Sequence, residues 1–155
     1  RVNIQLMKID VTTISNLVLD KYLGKWYEIA RIDNRFERGI SNAIAEYSQN
    51  PNGTIKVVNS GVDIKTGRMK SVVGKAKTTS IPGLLRVSFF WIFYSDYRVL
   101  ALGENYNWAL VGGSSSKYLW ILSRTSILPD EDLALAISEA SRRGYNTARL
   151  IYPWK

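Results

Sequence analysis

Cysteine and histidine are both missing from the 155 residues. Their absence excludes disulfides, thiolate nucleophiles, histidine general bases and histidine-based metal sites together. It leaves the compartment open, since cytosolic and exported bacterial proteins alike do without cysteine. Long apolar runs are also missing. The longest, Val87-Ser88-Phe89-Phe90-Trp91-Ile92-Phe93-Tyr94, falls far short of the roughly 20 residues a membrane-spanning helix needs. Lys and Arg total 21 against 13 acids, a formal charge of +8, yet no block of like charges occurs. Charge spread this evenly reads as a general surface property. No segment at the start reads as a signal peptide and no initiator Met is present, so a mature or trimmed chain is expected.

What is present is period-2 alternation, from Gly24 to Arg124. Strands are expected near 25–32, 43–50, 53–61, 67–78, 84–91, 96–103, 107–113 and 117–124. Turn residues punctuate them at Asn50-Pro51-Asn52-Gly53, Lys65-Thr66-Gly67, Ile81-Pro82-Gly83, Glu104-Asn105-Tyr106-Asn107 and Gly112-Gly113-Ser114. Eight short strands on hairpin-length loops predict an all-β, antiparallel up-and-down sheet, and closure into a barrel removes its edges. One connection, Asp33 to Asn42, is longer than the rest and has the length of either a lid or an ordinary surface loop.

The period then changes. Pro129 with Asp130 and Glu131 opens a helix, Leu133, Ala136, Ile137 and Ala140 share one face, and Arg142, Arg143 and Gly144 close it. This helix should pack outside the sheet, followed by a short strand around 148–152. The whole chain, 1–155, reads as one domain by length, with residues 1–17 as an N-terminal extension to a barrel and helix over about 18–151.

Gly24-Lys25-Trp26 opens the first strand. Trp is costly to bury unless its N–H finds an acceptor, and the adjacent glycine permits close backbone approach, so the pair suggests a ring closing one end of the sheet. Three motifs in order, Tyr22-Leu23-Gly24-Lys25-Trp26-Tyr27-Glu28-Ile29-Ala30-Arg31 followed by Arg35-Phe36-Glu37-Arg38-Gly39, then Glu104-Asn105-Tyr106 before Ala109-Leu110-Val111, then Tyr118-Leu119-Trp120-Ile121-Leu122-Ser123-Arg124-Thr125, resemble the lipocalins. More specifically, the chain looks like the bacterial outer-membrane group, which is similar to apolipoprotein D and the plant temperature-induced lipocalins. Two departures stand out. The lipid-modified Cys that begins outer-membrane members is absent, so these residues do not support membrane anchoring, and the family's Thr-Asp-Tyr-like turn is Glu104-Asn105-Tyr106.

The resemblance implies an eight-stranded calyx in which Gly24, Trp26, Tyr106 and Arg124 are structural, with Arg124 stacked on Trp26 at the closed end. It also places Tyr47 inward, and Tyr47 and Trp120 match ligand-contacting positions. Strand alternation extends this lining. Trp26 carries Glu28, Ala30 and Ile32 inward; Arg124 carries Leu122, Trp120 and Tyr118; Tyr47 carries Ala45 and Ala43. Leu85, Val87 and Phe89 form the apolar set of the fifth strand, and Val99 and Ala101 pair with Tyr97 on the sixth. The candidate ligand-binding set is therefore Glu28, Ala30, Ala45, Tyr47, Val87, Phe89, Val99, Tyr118 and Trp120. Glu28, the polar member, either bonds ligand or water or pairs with a basic side chain.

If Trp26 marks the closed end, the 33–42 loop and the turns at 62–66, 91–96 and 112–116 surround the open one. Phe36, Trp91, Ile92, Phe93 and Tyr94 would form an apolar rim meeting either a membrane interface or a partner chain. The leading expectation is a non-enzymatic protein that binds, stores or transports a small lipophilic ligand. By resemblance this is a fatty acid, lysophospholipid or similar membrane-derived lipid, bound without cofactor or metal. A monomer or weak homodimer in the bacterial cell envelope, touching an anionic membrane surface peripherally, completes it. Two other classes stay open: a lipocalin-type enzyme using Glu28 and inward tyrosines, and a basic barrel binding nucleic acid, against which the calyx motifs argue.

Overall fold

The computed structural model describes residues 9–89 and 93–153. A single turn of helix, α1 (Leu19–Tyr22), leads into β1 (Gly24–Ile32), β2 (Ile40–Gln49), β3 (Ile55–Asp63), β4 (Met69–Thr78), β5 (Leu84–Phe89), β6 (Phe93–Leu102), β7 (Trp108–Gly112) and β8 (Leu119–Ser123). Helix α2 (Asp130–Arg142) and a two-residue β9 (Leu150–Ile151) follow. Each strand from β2 to β8 pairs antiparallel with the next, β8 pairs with β1, and β1 pairs back with β2. The result is a closed eight-stranded up-and-down barrel, with β9 added beside Arg31 and Ile32 of β1.

Two apolar clusters divide the side chains. Inside the barrel lie Trp26, Tyr47, Ile55, Val57, Ala76, Leu85, Val99, Ala109, Val111 and Leu122. Between barrel and α2 lie Ile29, Ala30, Ile32, Leu110, Ile121, Ala136 and Ala140, with Leu133 and Ile137 packed against them. The helix thus uses the face its apolar spacing predicts. Its first turn carries Asp130, Glu131 and Asp132, where acids complement the helix dipole. Arg143, just past its end, is buried and donates to the carbonyls of Asp10 and Leu100, fastening helix to barrel.

Two bulges set which residues belong to which cluster. On β1 the pairing with β8 slips between Glu28 and Ala30, so that Glu28 opposes Leu122 but Ala30 opposes Ile121 and Arg31 opposes Trp120. A bulge adds one residue to a strand and reverses the alternation beyond it. Ala30 and Ile32, expected in the lining, therefore face α2, and Arg31 takes the inward place. A second slip between Val99 and Ala101 turns Ala101 outward in the same way, while Val99 stays inside.

Candidate functional site: a barrel interior with a fastened lid

The closed end is built around Trp26, which is fully buried and donates its indole N–H to the Tyr22 carbonyl at 2.8 Å. The Arg124 guanidinium lies 3.7 Å from the ring centroid and donates to the carbonyls of Lys21 and Lys25. Gly24 has φ +101°, and a Cβ there would stand 3.5 Å from Arg124 Nη1. Glycine thus supplies a left-handed turn directly beneath the stacked cation. Tyr106 completes this floor by accepting the Val18 N–H at 3.0 Å.

Above the floor three tyrosines meet. The Tyr97 hydroxyl is 2.5 Å from that of Tyr22 and 2.8 Å from that of Tyr47, and Tyr22 stacks on Tyr47. Burial pushes the Tyr47 phenol up to about 12 and drives those of Tyr22 and Tyr97 well above the ordinary value. A cavity of about 10 Å³ beside these rings is lined by Leu19, Leu23, Ile55, Ala76, Leu85 and Val87. That is room for about one water. Ala45, Val87, Phe89, Tyr97 and Trp120 pack against the inner cluster but remain only part-buried. Gly74 is what lets Phe89 lie flat across β4, because a Cβ there would be 2.5 Å from the phenyl ring.

At the opposite end the 33–39 segment folds over the mouth. Its Asn34 accepts the N–H groups of Phe36 and Glu37 and donates to the Glu37 carboxylate at 3.0 Å. The same carboxylate accepts the Trp120 indole N–H at 2.8 Å. Buried Arg31 ties the segment from below: it donates to Glu28 and Asp33, each at 2.9 Å, and to the carbonyls of Glu37 and Ile40 at 2.9 and 3.0 Å. Four of its five N–H donors are engaged by these bonds, and its Nη1 also lies 4.0 Å from the Glu37 carboxylate.

The two carboxyls beside Arg31 titrate in opposite directions. Burial and the neighbouring Glu37 push Glu28 well above the usual carboxylate range, more than Arg31 pulls it down. Glu37 is also desolvated, but hydrogen bonds from Glu28, Trp120 and Asn34 hold it below its ordinary value. Of the two, Glu28 is thus the weaker acid and Glu37 the stronger.

Of the residues the sequence nominates, Glu28, Ala45, Tyr47, Val87, Phe89, Val99 and Trp120 reach the interior, and Tyr118 stacks on Trp120 at 6.2 Å between ring centroids. Ala30 does not, for the reason given by the bulge. At the mouth Phe36 is 73% exposed and Tyr94 36%. Trp91 and Ile92 lie outside the described residues, and Phe93 is placed only by its backbone pairing with Phe89. Alternation alone missed Arg31, Glu37 and Tyr22, whereas it set Tyr97 in the lining of the sixth strand. The three missed residues lie within the motifs quoted from the sequence, and an Arg set between Ala30 and Ile32 was the available signal.

A lipocalin-like domain model matches residues 17–155. The chain is 45% identical over 145 residues to the outer membrane lipoprotein Blc of Vibrio cholerae, covering 92% of this chain and 85% of that protein. It is 33% identical over 153 residues to temperature-induced lipocalin-1 of Arabidopsis thaliana, covering 92% and 82%. Among solved structures, insecticyanin from the tobacco hornworm Manduca sexta superposes with a TM-score of 0.77 at 20% identity, over 93% of this chain and 84% of that one. That likeness is one of fold; the sequence matches carry descent, and on them the chain belongs to the lipocalin family.

Proposed function

We propose that this protein binds, stores or transports a small lipophilic molecule inside its barrel, without catalysing a reaction on it. The ligand class is a fatty acid, lysophospholipid or similar membrane-derived lipid. The bacterial cell envelope is its place of action, a reading supported by the relative named as an outer membrane lipoprotein. The observation that carries the proposal is the incomplete burial of inward-facing Ala45, Phe89 and Trp120 above a tyrosine and tryptophan floor. A solid core would leave such side chains fully enclosed. The void at the floor admits a water rather than a hydrocarbon chain, so the ligand occupies the upper half, beneath the lid.

Affinity would come from apolar burial, at about 25 cal/mol per Å², less the cost of ordering a flexible tail. The groups on which an enzymatic reading rests are engaged with one another: Glu28 with Arg31 and Glu37, and the inward tyrosines in a hydroxyl chain. This favours carriage over chemistry. Native mass spectrometry of protein from its own host, with organic extraction, tests the reading directly. A bound lipid, together with saturable binding of cis-parinaric acid that Ala45→Trp abolishes without lowering the unfolding midpoint, is the expected result. No extracted lipid and no saturable binding would overturn it.

A further inference from the structure

The positive charge, diffuse along the sequence, is gathered by the fold. The β3–β4 hairpin, residues 55–78, holds six cations against the single acid Asp63, and of these Lys65, Arg68 and Lys70 stand at its tip while Lys56, Lys75 and Lys77 lie toward its other end. Its tip lies at the barrel mouth and is joined to the lid, where the Ile64 N–H donates to the Gly39 carbonyl at 2.9 Å. Tip and lid together expose Phe36 (73%), Ile64 (64%) and Met69 (69%) among exposed Arg35, Arg38, Lys65 and Arg68, with exposed Lys117 on the β7–β8 turn of the same end. The acids nearby are already occupied: Asp63 by Lys70, Asp33 by Arg31, and Glu37 by Trp120. At the opposite, closed end exposed Asp20, Glu104, Asp130 and Glu131 are matched by exposed Lys21, Lys25, Lys56 and Lys77.

We infer that the lid and the β3–β4 tip form a docking face for an anionic lipid bilayer, which the protein meets mouth-first. Separated large apolar side chains set among cations suit an interface in which headgroup charge meets Lys and Arg while the apolar tips enter the acyl boundary. An excess of cations at the mouth, against a near balance of charge at the closed end, orients the molecule in the field of such a surface before contact. Docking in this pose puts Trp120 and the lid fastening next to the membrane, so a lipid passes between bilayer and barrel without crossing water. The inference rests on the carrier reading for its purpose, though not for its geometry.

The test is co-sedimentation with vesicles of phosphatidylcholine alone and of phosphatidylcholine with phosphatidylglycerol. Binding is expected only to the anionic vesicles and should weaken as salt rises. Both Phe36→Ser with Ile64→Ser and Lys65→Glu with Arg68→Glu should lower the partition coefficient by about tenfold or more. Lys75→Glu with Lys77→Glu changes net charge equally on the outer wall of β4 and should cost much less. Failure to bind anionic vesicles, tip variants that bind like the parent, or an equal loss in the outer-wall control would each overturn the docking face. So would retention on single-stranded DNA without vesicle binding. Displacement of cis-parinaric acid in vesicle-free buffer is read in parallel. If it persists while vesicle binding is absent, docking fails and carriage stands; if it is absent while vesicles still bind, the reverse holds.

Discussion

Trp120 and Glu37, 83 residues apart, meet at 2.8 Å, the indole N–H donating to the carboxylate. One belongs to the wall that lines the chamber and the other to the segment that covers it. A ligand entering the barrel therefore has to pass beside this bond, and whatever alters the charge of Glu37 alters how firmly the cover is held.

The opposite shifts of Glu28 and Glu37 make that dependence measurable. A carboxyl whose folded value is raised, as Glu28's is, contributes a stability that declines as pH rises from the unfolded carboxylate value toward the folded one. Glu37, held low, contributes above its ordinary value and loses that contribution as pH falls through its folded one. Glu28→Gln preserves a donor toward Glu37 and an acceptor for Arg31 while removing the titration. Urea unfolding across pH is expected to show a variant equal to or more stable than the parent above the ordinary carboxylate range, with a flatter profile. A parent whose stability rises with pH over that range relative to the variant would refute the raised value of Glu28.

Arg124 is expected to matter through stacking and fork geometry rather than charge alone. Arg124→Ala removes a cation–π contact and two bonds to backbone carbonyls, costing about 2–3 kcal/mol, or on the order of 5–10 °C in the unfolding midpoint. Arg124→Lys should recover less than half of this, because an ammonium cannot reproduce the planar fork. An unchanged midpoint in Arg124→Ala would remove the stacking from the account of the closed end.

Tyr97 stands at the centre of the hydroxyl chain and Tyr22 at one end. Tyr97→Phe leaves two buried hydroxyls without their partner, whereas Tyr22→Phe shortens the chain by one. The first should cost about 2–4 kcal/mol and the second about 1 kcal/mol, read from denaturant midpoints. Absorbance titration of the parent should show Tyr47 resisting ionisation until about pH 12, and Tyr22 and Tyr97 resisting it well above the ordinary phenol value or until alkaline unfolding. The raised values mean that stability is lost as pH climbs through that range. Ordinary ionisation of all nine tyrosines near pH 10 would contradict this burial.

Gly74→Ala places a methyl group against the Phe89 ring. About 1–3 kcal/mol of destabilisation is expected from the overpacking. Phe89→Leu in the same chain should relieve it, so that the double variant is more stable than the sum of the single changes allows. Strict additivity would show that the ring does not rest on the glycine.

Much of this architecture is legible in the residues. Period-2 alternation marks all eight barrel strands to within a few positions, and the spacing of Leu133, Ala136, Ile137 and Ala140 identifies the buried face of α2. What alternation cannot carry is a change of phase. Glu28 and Ala30 are two apart and so share a face in any regular strand; only the partner strand's register reveals the extra residue between them. Arg31 stayed hidden for the same reason, and also because its acceptors on Asp33, Glu37 and Ile40 come from a connection whose path no strand pattern encodes. The basic tip was equally invisible to a search for charge runs, since its cations are brought together by hairpin pairing.

The slip in β1 has a consequence for how such a protein can diversify. Trp26 and Glu28 furnish the chamber, whereas Ile29, Ala30 and Ile32 furnish the seat of the helix. A single strand is thereby split into two independently editable halves. Cargo preference can drift through substitutions on the chamber side while the helix keeps its footing, so the frame survives each change of tenant.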